Sequence, residues 1–274
     1  MNKSLSAQKY FVNQLIFWVA VSLIIYCYSN LFKLRLELKF ESIFLIGINL
    51  TALTLSLHYL MNVLHQASHN LLSRNRHWNI FFGHTSAILT GLTFSEFRLT
   101  HSMHHANLGD SNKDPDYKLT HSGTLLTLPF RIWQKDVYFW KNKLYKKNKA
   151  WKGYLIDRAL QILLVLLIFV FKNQTAYFSY WLIAVLTVGY LNGLFLFYFP
   201  HYSTKWEKLN QQKTKVNIIT KLILTFINIS RFYHHKHHDK ISDNTVYFPL
   251  ENYLYSHFTN PKFILPKANK KYLV

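Results

Sequence analysis

Residues 98–117 read RLTHSMHHANLGDSNKDPDY, and the rest of the chain is best understood from this stretch outward. His101, His104 and His105 are spaced i, i+3, i+4, so on a helix three imidazoles share one face. Neutral imidazole is the commonest side-chain metal ligand and suits iron, copper and zinc alike. Upstream stand His65 and His69, an i, i+4 pair; downstream His234, His237 and His238 repeat the i, i+3, i+4 spacing. His235 falls about 100° off that last face and is excluded as a ligand. A single zinc ion takes about four ligands, so eight histidines in three boxes point to two ions. A metal-storage tract would be contiguous and low in complexity, whereas these boxes are separated and embedded in mixed sequence.

Half of the 274 residues are hydrophobic and 17% are aromatic, yet Lys and Arg number 32 against 12 Asp and Glu, a formal charge of +20. Apolar and strongly basic together describe a membrane protein with a heavy cytoplasmic face. The charge lies between long apolar runs rather than on a soluble module, which argues against nucleic-acid binding. One cysteine, Cys27, excludes a disulfide framework, a cysteine zinc site and an iron–sulfur cluster within the chain. No GxGxxG or P-loop signals a nucleotide-binding domain. No small-residue cleavage site follows the first apolar run, so no cleavable signal peptide is expected.

Four apolar runs, at about 10–28, 42–64, 154–171 and 177–199, approach the ~20 residues a bilayer requires. They predict an all-α integral membrane fold, a single domain over 1–274 with four transmembrane helices in two hairpins. A helical cap of residues 65–153 and 200–274 carries the histidine boxes. Residues 78–97 are long enough to cross, but Gly83, His84, Gly91 and several Ser/Thr make them weakly apolar. They are expected to lie at the interface or against the bundle, because a crossing would separate the first two boxes. Residues 217–229, too short to span and containing Lys221, are expected to form an interfacial helix. The charge bias agrees: residues 74–152 hold 13 Lys/Arg and residues 205–271 hold 12, against three and one in the two opposite connections. Both termini and all three boxes are therefore placed in the cytoplasm. Asp157 and Arg158, opening the third run, read as interfacial anchors. His58, two turns before His65, reads as a bundle-interior histidine bonded to a neighbour. His77, His84, His121 and His257 have no spacing partner and read as surface or packing residues.

The HxxxH, HxxHH, HxxHH pattern between pairs of apolar spans resembles the membrane fatty acid desaturase–hydroxylase superfamily, over roughly residues 10–250. Gln66 stands where many desaturases carry an acidic residue. The resemblance implies iron, which spacing alone does not choose over zinc. It implies two ferrous ions, O2 as co-substrate, and attack on an unactivated C–H bond of a lipid substrate, most directly as a fatty acyl desaturase. The metal ligands would be His65, His69, His101, His104, His105, His234, His237 and His238. His201, after the fourth span, is the ninth, where the superfamily often supplies one; the alternative is a snorkelling interfacial histidine. Asp114-Pro-Asp116 resembles the tail seen in many members, carotenoid ketolases among them, which keeps a ketolase or hydroxylase as the alternative activity. That tripeptide either backs a metal-bound imidazole or forms a proline-fixed turn. O2 activation needs electrons, and no flavin, haem or iron–sulfur motif is present. An external donor such as a ferredoxin or cytochrome is implied, steered by the basic face. A membrane metal transporter or sensor is the non-enzyme alternative. Transporters hold their ligands within the spans, whereas these boxes lie beyond them.

Overall fold

The computed structural model describes residues 14–28, 40–117, 125–131, 133–170 and 175–194, all in helices and turns with no strand among them. Its longer helices are α1 (Gln14–Tyr28), α2 (Phe40–Ser68), α3 (Arg76–Thr90), α4 (Phe94–Ala106), α5 (Gln134–Lys141), α6 (Ala150–Val170) and α7 (Thr175–Asn192). The 26 residues Ile43–Ser68 of α2 are long and apolar enough to cross a membrane. At 1.5 Å per residue they span about 39 Å, more than the ~30 Å hydrocarbon core. The first part of α2 is exposed at Ile43, Phe44, Leu45 and Ile48, while Leu57, Leu60 and Leu64 nearer its end are buried. The apolar face of α6 is likewise exposed at Leu155, Leu160, Leu163 and Leu167. Exposed apolar faces of this extent are unusual against water and suit lipid. The other apolar helices, Gln14–Tyr28 and Ser179–Asn192, are shorter.

Residues 78–97 do not form one helix. Asn75 caps α3, its side chain accepting from His77 N–H at 2.8 Å. Fifteen residues later the helix ends in a Schellman turn. Gly91, at φ 78°, takes the left-handed position, and the amides of Gly91 and Leu92 return to the carbonyls of Ile88 and Ala87. The chain then reverses into α4. Thr93, in the N-cap position of α4, makes no side-chain cap bond; instead Asp157 on α6 accepts Phe94 N–H at 2.8 Å. Gly83 on α3 lies directly under the Phe94 ring, which a Cβ would strike.

The helical hairpin of α3 and α4 is gripped from outside. Asp157 also accepts from His84 Nδ1 on α3 at 2.6 Å. Arg158 donates to Gly91 O at 3.1 Å and to Asp136 on α5 at 2.6 Å. Gln161 donates to Leu92 O, and Trp181 on α7 donates to Leu89 O at 3.0 Å. Asp157 is fully buried. The expected interfacial anchors are thus corrected: Asp157 and Arg158 satisfy backbone groups freed at the turn, since unpaired buried polar groups are costly. His84, read as a surface or packing residue, packs against Phe94 and bonds Asp157. His58 meets expectation, 2.8 Å from Asn192 Oδ1 on α7. The main core joins α1, α2, α3 and α7 through Phe17, Leu57, Leu60, Phe82 and Val188.

Candidate metal centre

Two helix ends build the site. His65 occupies the last turn of α2, with His69 just beyond it. His101, His104 and His105 lie in the second half of α4. Because α3 and α4 double back at Gly91, His101 returns to the level of His65, with ring centroids 4.4 Å apart. His69 Nε2 and His105 Nε2 each stand 3.0 Å from His101 Nε2. One nitrogen from each of His65, His69, His101 and His105 lies within 4.8 Å of the others, so the four could hold a metal ion. Arg98 on α4 donates to Asn70 Oδ1 at 3.3 Å and ties the two box-bearing segments together.

Burial sets the protonation of these rings. Burial first, and then the Arg98 charge, lowers the His69 pKa to about 4. Burial, and then the neighbouring His65, His105, His69 and His104 rings, holds His101 well below the ordinary histidine value. Both are neutral at pH 7, the form in which imidazole offers a lone pair.

His104 stands apart from the four. Its Nδ1 lies 2.8 Å from Asp114 Oδ1 and 3.7 Å from Asp116 Oδ2. An Nδ1–H donated to Asp114 leaves Nε2 as the atom that can ligate. Burial pushes the Asp114 carboxyl up, but its bond to His104 and the amides of Gly109 and Asp116 outweigh this and hold it below its usual value. The Asp114-Pro-Asp116 segment therefore does both things expected of it. It backs an imidazole, and it forms a turn in which Asp114 accepts Gly109 N–H at 2.9 Å and Asp116 N–H at 2.8 Å. Gly109 sits at φ 78°, in the region glycine favours. Asp110 caps the same loop through the amides of Asn112 and Lys113. His201, His234, His235, His237 and His238 lie outside the described residues, as do residues 217–229.

Two buried groups escaped the sequence reading, Glu96 on α4 and Lys135 on α5, 1% and 2% exposed, and the role of the fully buried Asp157 escaped it too. A lone carboxylate inside an apolar helix is a signal for Asp157, but its partners are 63 and 73 residues away. Nothing local marks Lys135. One turn before His65, Met61 lines a small apolar pocket with Thr90, Leu92, Trp133 and Val188.

No curated protein sequence and no solved structure matches this chain. The model of the fatty acid desaturase family matches residues 42–243, which include all three histidine boxes and α2 to α7 apart from two residues at the start of α2. That match covers more than half of the chain, and with two of the family's histidine boxes brought together at the ends of α2 and α4, the chain belongs to the fatty acid desaturase family of membrane-bound oxidoreductases.

Proposed function

We propose that the protein is a multi-pass membrane enzyme that uses two ferrous ions and O2 to remove hydrogen from an unactivated C–H bond of a lipid, as a fatty acyl desaturase. Four spans, with both termini and the boxes in the cytoplasm, complete the topology. His65, His69, His101 and His105 hold one ion. His104 serves the second, with His201, His234, His237 and His238 from the C-terminal part of the chain. When bound, the iron pair supplies O2 activation. The chain's own residues supply the rest: neutral buried imidazoles as ligands and Asp114 fixing the His104 ring. Electrons come from an external donor, a ferredoxin or cytochrome, drawn by the basic cap.

One observation carries this reading: two histidine boxes on different helices converge, so that four imidazole nitrogens lie within 4.8 Å. Four neutral imidazoles are a donor set that iron, copper and zinc can all use, and membership of the family supports iron. The lipid character of the substrate is supported by the membrane-length helix Ile43–Ser68 ending at the site.

The test is a lipid and pigment profile of a host expressing the wild type or His101→Ala, with iron analysis of the purified proteins. New unsaturated acyl chains with the wild type alone, and about two irons per chain, are expected. Keto- or hydroxycarotenoids in their place would favour the ketolase alternative, which the Asp114-Pro-Asp116 tail keeps open. Stoichiometric zinc with O2-independent activity would sink the oxidative reading.

A further inference from the structure

We propose that Lys135, outside every histidine box, is a positioning residue for the second box: its buried ammonium holds Asp116 behind His104 and covers the Phe97 ring that stacks on His101. The inference rests on reading His101 and His104 as metal ligands. Lys135 reaches the site from α5 and is 2% exposed. A buried ammonium is costly unless paired, and this one is paired twice. Its Nζ lies 2.9 Å from Asp116 Oδ1 and 3.2 Å from Oδ2. It also stands over the Phe97 ring, 5.1 Å from the centroid.

Each of these contacts leads on to a box-two histidine. Asp116 Oδ2 lies 3.7 Å from His104 Nδ1, too far for a hydrogen bond but close enough for its charge to act. Phe97 stacks on His101 at 5.4 Å, with the planes 22° apart. The arrangement solves an electrostatic conflict. Asp114 and Asp116 are two buried carboxylates beside one imidazole N–H, and two like charges so close repel one another. Lys135 balances Asp116 and leaves Asp114 as the acceptor for His104, at 2.8 Å. Its pull on the Phe97 face at the same time fixes the plane against which His101 lies. A lysine that merely pinned α5 to the 107–117 loop would affect folding and leave the metal unchanged; a lysine that positions ligands changes how the metal is held.

Titrating the full-length purified protein with Co(II), followed by its visible ligand-field absorption, separates these cases. Lys135→Met should lower Co(II) affinity about tenfold or more and shift the absorption bands, with the helix content unchanged. Since that variant leaves Asp116 buried without its cation, the double variant Lys135→Met/Asp116→Asn is the companion: it removes both charges, and its affinity should also fall below wild type. Wild-type affinity and spectrum in either folded variant would overturn the role of Lys135 alone. A wild type that binds no Co(II) would overturn the metal reading and this inference with it.

Discussion

Glu96 shows how strongly this interior acts on a single side chain. It faces the same buried region as Lys135, and Thr100 Oγ1 donates to its carboxylate at 3.2 Å. Burial, and then the Asp136 charge, raises its pKa to about 8, against the lowering pull of Lys135, the Thr100 bond and Arg158. Below pH ~4.5 the folded and unfolded chains both hold this proton. Between there and about pH 8 the folded chain holds it more often, so the contribution of Glu96 to stability declines as pH rises through that window. Glu96→Gln is expected to keep the hydrogen bond to Thr100 and remove the decline. Apparent melting temperatures of the purified protein, measured from about pH 5 to 8, should fall more steeply for the wild type, with the variant the more stable at the upper end. Parallel curves for the two proteins would refute this account of Glu96. His69 and His101 illustrate the opposite case, bases kept neutral by burial, and the conversion of either to Ala should remove activity while leaving the protein in the membrane.

For the helices, the deciding feature is the reversal between α3 and α4, which brings the second box to the first. Gly91 permits it, but α6 and α7 hold it. Asp157 serves both sides of the turn at once, accepting from His84 on α3 and from Phe94 N–H on α4. Replacing Asp157 by Ala leaves the buried Phe94 amide without its acceptor, at a cost of about 1–3 kcal/mol, and releases the partly exposed His84 imidazole. We expect a clear drop in apparent melting temperature, with Asp157→Asn intermediate because its carboxamide oxygen can still accept one bond. An unchanged transition in Asp157→Ala would mean that the reversal is held by α3 and α4 themselves. Gly83 adds a steric condition: Gly83→Ala pushes a methyl into the Phe94 ring, an overpacking worth about 1–3 kcal/mol, readable in the same experiment.

Across the whole molecule, the hairpin of α3 and α4 returns the chain to the level of the first histidine box. At 15 residues, α3 is about 22 Å long, short of the ~30 Å hydrocarbon thickness, and α4 turns back from its end. In the proposed topology the segments before α3 and after α4 therefore lie on one side. Asn75 and Asn112 are both exposed, and the sole native cysteine, Cys27, is buried. Single cysteines at 75 and at 112, in a Cys27→Ala background, should react with an impermeant maleimide from the same, cytoplasmic, side. Labelling from opposite sides would break the four-span topology and the shared metal site together.

The sequence by itself determined the local geometry of the site. The spacings His65/His69 and His101/His104/His105 place rings on one face wherever a helix forms, and α2 and α4 supply those helices at the positions expected. Helical periodicity is a property of neighbouring residues, so apolar runs and box faces are legible in the chain. His58 was legible for the same reason, as a polar group on a buried face. Gly91 reads in the chain only as a break in apolarity, not as the end of α3. Tertiary structure decided what joins these pieces. That residues 78–97 fold back on themselves, that an acidic residue in α6 caps α4, and that a lysine on α5 stands behind the second box depend on partners 19 to 92 residues apart in sequence. Such pairings leave no periodic trace. A buried carboxylate or ammonium in an otherwise apolar or basic stretch looks like an interfacial or solvated charge until the fold presents the group that neutralises it.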